Sequence, residues 1–565
     1  MYTFSIKEQN NDSYDSDFSI LAKGIPYMNI IKGFFTFTPR SKGDKFTLSS
    51  KEEIDYDVRE EKNIQKDYVS SDIEKNIAYI RKRYAVPLNN DVVIRQIGLK
   101  NGRKAFILFF DGMVDGQAID EYIIRALIEL PYIQDDEFDN ELYMYFTAHS
   151  QTTVEGDMDN IADGVNFGSC ALFVDGVAKA FVFDVKQWEH RGIDKPENEQ
   201  SIYGPQEAFG EMVRTNTALV RKILKTEKLV AYGVTIGSIS KTQGVLLYID
   251  GLSNEKLVNE AKRRLSAVEK DYIISIEEVQ MLVEDRRFMI TPQTYATERP
   301  DRAARALTEG RCVLILNGSP RALIMPSNAF ELTHSVSDDY LHVPFALMSR
   351  FIRFFGMFVS LLLPALYLAI TLYHQEIIPT YLLYSISASR ENVPFPSLLE
   401  MLLMDLSFEL IREAGIRMPS SIGSTLGIVG GLILGQAAVS AKIVSPIMII
   451  IIAITGIGSF ATADYTLGWT YRILRLVFIF LAAGFGFFGI AMGIVIYALY
   501  IGSAESFGIP FLSPPLGAKK DAMNLAVFIN GITKREKRPG FLKTEDDVSE
   551  PKISRKWRVK NKMGD

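Results

Sequence analysis

Cysteine is scarce in this chain: Cys170 and Cys312 are the two in 565 residues. No CxxC and no Cys/His cluster occurs, which removes zinc sites and dithiol redox chemistry. The five histidines (149, 190, 334, 342 and 374) are scattered. No pairing of nucleophile and base is legible around them, so the chain reads as a non-enzyme with no metal and no cofactor. A charge excess of one sign is also missing. The net charge of -6 gives no electrostatic footprint for nucleic acid. The opening "MYTFSIKEQNNDSYDSDF" lacks a basic start followed by an apolar run, so it does not read as a signal peptide, and the soluble part is expected to stay in the cytoplasm. Long apolar runs are absent up to about residue 343 and abundant from 345 to 510.

These contrasts divide the chain. Residues 1–75 are polar with little sustained period and read as a flexible arm, in which "MNIIKGFFTF" (Met28 to Phe37) is a short stretch able to dock. Residues 76–190 and 205–330 read as two α/β subdomains, 345–510 as a transmembrane helical domain, and 511–565 as a basic tail. From Gly517 to Asp565 there are thirteen Lys/Arg against seven Asp/Glu, which suits the cytoplasmic face of an anionic membrane or a simple solvated tail.

The soluble region is written twice. "AFILFFDGMVDGQAIDEYIIRALIEL" from Ala105 and "GVLLYIDGLSNEKLVNEAKRRLSAV" from Gly244 each give an apolar run of strand length, an Asp-Gly turn and a helical period. Two hairpin patterns follow, "CALFVDGVAKAFVFDV" from Cys170 and "CVLILNGSPRALIMP" from Cys312. The offset is 139 residues for Asp111-Gly112 and Asp250-Gly251, and 142 for the two cysteines. Both cysteines are therefore expected to be small buried core residues at equivalent strand positions. The linking stretch predicts a helix from Pro205 to about Lys225, with Glu211 and Arg214 spaced to pair. "GSISKT" (Gly237 to Thr242) has Ser240 where a phosphate loop needs glycine, which speaks against nucleotide binding there.

Four uncharged runs approach or exceed the roughly 20 residues that span a bilayer: Phe354–Tyr373, Ser420–Ala441, Ile443–Ala463 and Leu476–Ala504. The last is either one long tilted helix or a tight pair broken near "AAGFGFFG" (Ala482 to Gly489). A helix pattern from Ser397 to about Gly415 carries Leu399, Leu402, Leu403, Leu406 and Leu410 on one face and Asp405, Glu409, Arg412 and Glu413 on another. Glu409–Arg412 and Glu413–Arg417 are spaced to pair. Gly423, Gly427, Gly431 and Gly435 then form a ridge for close helix packing, and Gln436 on the same helix needs a polar partner. The charged face is either that of a helix lying at the membrane surface or the lining of an ion route; on the second reading Asp405, Glu409, Arg412, Glu413 and Gln436 are the ion-route candidates and Ile428 and Leu432 a dewetting gate. Four spans with the N-terminus inside would put Arg472 and Arg475 outside, against the positive-inside tendency, whereas six would not.

An ordered series of motifs from about residue 90 to 515 resembles the A subunits of the spore germinant receptors of endospore-forming bacteria, the GerA family. It includes "YGPQEAF", "RTNTALVRK", "TERPDRAARALTEGR", "SLLLPALYLAI", "YHQEIIPTYLLYSISASRENVPFP", "FELIREAGIRMPSSIG", "GGLILGQAAVSAKIVSPIMIIIIA" and "SFGIPFLSP". Tyr203 stands where a basic residue is expected, and "ATADYTLGW" replaces a Pro-containing segment. The resemblance implies a multi-pass protein of the spore inner membrane with its N-terminal domain facing the spore core. It implies a permease-like B subunit and a lipoprotein C subunit as partners. It further implies homo-oligomerisation into a ring, with a pentamer as the candidate size, and a ligand-gated monovalent cation channel that triggers germination. A non-conducting scaffold, or a sporulation channel paralogue that senses no nutrient, are the alternatives.

Overall fold

The computed structural model describes residues 67–417 (apart from 101, 130–141, 143–145, 147–151, 188–194 and 287–288), 435–513, 538–546 and 549. The N-terminal arm, the run from Met28 to Phe37, Gly423, Gly427, Gly431, Ile428 and Leu432 lie outside the described residues.

The first sheet is preceded by helix α1 (Ile73–Arg83) and contains β1 (Val92–Gly98), β2 (Lys104–Phe110), β3 (Thr152–Glu155), β4 (Cys170–Val174) and β5 (Ala180–Phe183), with α2 (Met158–Asn166) between β3 and β4. The second begins with α3 (Val213–Ile223) and has β6 (Leu229–Ile236), β7 (Thr242–Ile249), β8 (Tyr295–Thr297), β9 (Cys312–Leu316) and β10 (Ala322–Met325). Helices α4 (Glu255–Ser266) and α5 (Ile276–Val283) precede β8, and α6 (Pro300–Thr308) follows it. The strand orders are the same, β1-β2-β4-β5-β3 and β6-β7-β9-β10-β8. Every neighbouring pair is antiparallel. The strand-turn-helix reading is thus realised in antiparallel sheets, with helices returning the chain across the faces.

Strands β4 and β9 are buried along their whole length, because helices cover both faces. Their first residues, Cys170 and Cys312, are fully buried and unbridged. Burial pushes both thiols up, Cys312 to about 12, so neither is a ready nucleophile. "GSISKT" forms the connection between β6 and β7, tied down by Ser238 to Asp271 at 2.6 Å and by Thr242 to the Ile273 carbonyl. It opens into a strand, whereas a phosphate loop opens into a helix.

The linking helix is shorter than expected: α3 starts at Val213, and Met212 caps it with an exposed side chain. Arg214 reaches across to Asp111 at 3.3 Å. The stronger cross-repeat tie comes from Arg221 on the same helix. Its guanidinium donates to Asp91 and Asn89, at 2.8 and 3.1 Å, and to the Leu229 carbonyl at 3.0 Å, and it lies 4.0 Å from the Phe110 ring centroid. A further repeat signature sits at each leading helix. Asn76 exchanges two hydrogen bonds with the Ser70 backbone, and Asn216 does the same with Gly210, so each buried side chain clamps the chain entering its helix.

Among the described residues there follow α7 (Val343–Tyr373), α8 (Thr380–Arg390), α9 (Ser397–Arg417), α10 (Pro446–Phe460) and α11 (Tyr465–Gly502), with residues 435–440 also helical ahead of α10. Two of these, α7 and α11, are long and apolar enough to cross a membrane. Helix α7 continues through Pro364, and α10 starts with Pro446 after the Ser445 cap, where a missing N–H costs little. Gly486 has φ 58° and ψ -137°, and there α11 reverses direction. A side chain on Gly493 would meet Phe478 and Leu481, at 2.7 and 2.9 Å, contacts possible only if the two halves run antiparallel. The last apolar run is therefore a helical hairpin.

The sheet end and far end of this bundle are fixed by particular contacts. At the sheet end Arg353 of α7 pairs with Asp338 at 2.9 Å, and the Ile290 backbone bonds both Thr470 and Tyr500, at 2.8 and 3.2 Å, from the two arms of the hairpin. At the far end the Tyr373 hydroxyl donates to the Ala483 carbonyl at 2.6 Å, and His374 stacks on Phe487. Helix α9 runs back toward the sheets: Glu400 near its start accepts from the Ser445 backbone, and Arg412 near its end reaches Ser459.

Candidate functional site

Helix α9 is inside out by the standard of a soluble protein. Leu406 and Leu410 are 62% and 63% exposed, whereas Asp405 and Arg412 are 3% and 8% exposed. The apolar stripe faces outward and the charged face inward. That is the arrangement expected where the surroundings are hydrocarbon and polar groups must find partners within the bundle.

The inward charges meet α11. The Arg475 guanidinium, 1% exposed as a side chain, lies 2.8 Å from both Asp405 and Glu409. Arg472 approaches Glu409 at 3.7 Å, and Arg412 approaches it at 3.6 Å. Arg412 also donates to Ser459 and lies over the Phe460 ring at 4.4 Å. Two carboxylates thus share three guanidinium groups, and some donors on Arg412, Arg472 and Arg475 have no hydrogen-bond partner among the described residues. A low-dielectric setting makes such a cluster strongly coupled and leaves it sensitive to any displacement. Both intrahelical pairs expected from spacing form, Glu409–Arg412 and, at 2.8 Å, Glu413–Arg417.

The other candidates are dispersed. Glu413 is half-exposed and engaged with Arg417, outside the buried cluster. Gln436 is exposed, and its neighbour Gly435 is buried, where an added side chain would meet Ile449 at 3.7 Å. Glu400, which sequence reasoning did not single out, is fully buried at the far end beside Ser445 and Arg390. Arg472 and Arg475 were visible as an oddity of topology; their role as counter-charges to α9 was not, because their partners lie more than sixty positions away in sequence.

Close helix packing among the described residues uses glycines outside the expected ridge. A side chain on Gly356 would meet Ala461 at 2.7 Å, and one on Gly458 would meet the Gly356 carbonyl at 2.6 Å, so α7 and α10 cross backbone to backbone here. Gly456 makes room for Phe408 of α9.

The comparisons with known proteins agree on one family. The model for the Bacillus/Clostridium GerA spore germination protein matches residues 78–541. Spore germination protein KA of Bacillus subtilis (strain 168) is 36% identical over 489 residues, covering 86% of this chain and 90% of that relative. The uncharacterized membrane protein YfkQ of the same organism is 38% identical over 432 residues, covering 76% and 84%. Spore germination protein GerLA of Bacillus cereus is 33% identical over 490 residues, covering 85% and 98%. On a match that spans both sheets and the helical bundle, this chain belongs to the GerA family of spore germination proteins.

Proposed function

We propose that this chain is the A-type membrane subunit of a nutrient germinant receptor in the spore inner membrane. Several copies assemble into a ring, with a permease-like B subunit and a lipoprotein C subunit as partners, and form a monovalent cation channel gated by nutrient on the partner. The observation that carries this reading is the buried cluster of Asp405 and Glu409 with Arg412, Arg472 and Arg475 inside helices whose outer faces are apolar. Ionisable groups at such a depth mark ion pathways or pair across helix interfaces. Here the carboxylates are neutralised by arginines, which fits a closed state. Opening then requires α9 and α11 to separate, and nutrient biases that equilibrium through contacts that differ between the two states.

The alternation of sheet-end and far-end contacts supports six traverses: α7, α9, the segment carrying the glycine ridge, α10 and the two arms of α11. Gly423, Gly427, Gly431 and Gly435 would pack this third traverse closely, with Ile428 and Leu432 as its gate. Arg350, Arg353, Arg412, Arg417, Arg472 and Arg475 then lie toward the sheets, against Arg390 and Lys442 at the far end. By the positive-inside tendency the sheets face the spore core.

The test is assembled mass in mild detergent with and without the partner subunits, followed by ion flux. A closed ring whose flux changes in Glu409→Gln supports the reading; a monomer in both conditions, or unchanged flux, overturns it. The alternative is a sporulation channel paralogue of the same family that amplifies germination without sensing nutrient. Co-purification of B and C subunits separates a receptor from that paralogue.

A further inference from the structure

The two repeats fill one slot with chain from different places. In the first repeat the chain leaving β5 folds back along the turn after β2. The amide of Asp115 donates to the Val185 carbonyl at 2.8 Å, the amide of Gln187 donates to the Met113 carbonyl at 3.3 Å, and Val114 and Lys186 form an antiparallel bridge. In the second repeat the residues equivalent to Met113, Val114 and Asp115, at the 139-residue offset of the Asp-Gly turns, are Leu252, Ser253 and Asn254. The chain leaving β10 goes elsewhere. Its place is taken by the far C-terminal segment: the amide of Glu545 donates to the Leu252 carbonyl at 3.1 Å, and the Asn254 side-chain amide donates to the Lys543 carbonyl at 2.8 Å.

The register is the same in both. Gln187 and Val185 are two residues apart, as are Glu545 and Lys543. The glycine floor is also repeated: Gly168 lies under Lys186, and Gly310 lies under Thr544. Around this core Leu542 is 2% exposed, and Arg538 anchors to the Thr308 carbonyl at 3.0 Å.

We propose that the slot along Leu252–Asn254 is a docking site for a short peptide segment, and that its resident ligand is this chain's own Lys543–Glu545. In the first repeat the slot is filled by residues that follow directly from β5. In the second its ligand lies about 290 positions away in sequence, held by one backbone hydrogen bond to Leu252, by the Asn254 side-chain amide and by the buried Leu542 side chain, so site and ligand are separable. Nothing in this inference depends on conduction.

The test uses the membrane protein in detergent, as the full chain and as a variant ending at Lys537, with a labelled peptide of residues 538–549. The shortened protein captures the peptide and the full chain does not. Asn254→Asp keeps an oxygen to cap the Lys256 amide but loses the donor to Lys543; it weakens capture about tenfold, as loss of one hydrogen bond does. A Leu542→Asp peptide is not captured. In the intact protein the Glu545 amide is protected from hydrogen exchange, and Asn254→Asp reduces that protection. Equal capture by both proteins, capture by neither, or an unprotected Glu545 amide in the intact chain overturns the proposal.

Discussion

Arg475 sits 2.8 Å from Asp405, joining α11 to α9 through a pair that is buried on both sides. Neither helix has another described partner for these charges outside the cluster formed with Glu409, Arg412 and Arg472. Removing one member strands the other in a low-dielectric interior, which costs about 3–5 kcal/mol. Arg475→Gln is expected to lower the thermal midpoint in detergent sharply and to reduce the amount of protein in the membrane. Asp405→Asn added to it should restore part of the loss, and a double-mutant cycle with non-zero coupling checks this.

The crossing of α7 and α10 leaves no room for a side chain at Gly458. Gly458→Leu is expected to push the two helices apart and destabilise the bundle by about 1–3 kcal/mol or more, the range for overpacking. Gly415, around which an added side chain meets nothing, is the control: Gly415→Ala should leave the thermal midpoint unchanged or slightly raised.

Arg221 joins the two repeats through Asp91, Asn89 and the Leu229 carbonyl. Arg221→Lys keeps the charge but cannot reproduce the planar fork or the stacking on Phe110. Both Arg221→Lys and Arg221→Ala are therefore expected to lower stability, Ala by about 3–5 kcal/mol. Denaturant unfolding followed by fluorescence should also show the repeats losing cooperativity.

Glu260 on α4 is held down to about 2, chiefly by its hydrogen bond to Arg263, with Arg264 adding to it against the opposing effect of burial. A carboxyl whose folded pKa lies below its ordinary value stabilises the fold above the ordinary value. That contribution disappears as pH falls from about 4.5 toward 2. The stability difference between the wild type and Glu260→Gln should thus be full at neutral pH and shrink across that window. A difference constant down to pH 2 would contradict the pairing.

The duplicated region was legible in outline because its signals are local. Apolar runs with Asp-Gly and Gly-centred turns fix strand and hairpin positions wherever they occur, and Cys170 and Cys312 fell at matching strand starts. The Asn76 and Asn216 clamps could have been found by the same search, since both sit five positions before an Arg-Lys pair, Arg81-Lys82 and Arg221-Lys222. Antiparallel pairing was legible for the two hairpins, β4–β5 and β9–β10, and not for the other pairs, because a strand's own pattern does not name a distant neighbour. Of the two readings of the last apolar run, one long helix or a pair broken near "AAGFGFFG", the structure takes the second, and Gly486 is the residue that adopts the positive φ.

The sequence by itself determined the strands at the Asp-Gly and hairpin motifs and the apolar helical stretches, that the sheet region is repeated, and that α9 separates its leucines from its charges. Each of these follows from composition and period within a short stretch. Tertiary structure decided which face of α9 turns inward, that Arg472 and Arg475 are its counter-charges, which glycines lie at a helix crossing, and that Lys543–Glu545 completes the second repeat. Those outcomes depend on pairs tens to hundreds of positions apart. A buried charge or a bare backbone is indifferent to sequence distance: it takes whichever partner the folded chain brings within reach.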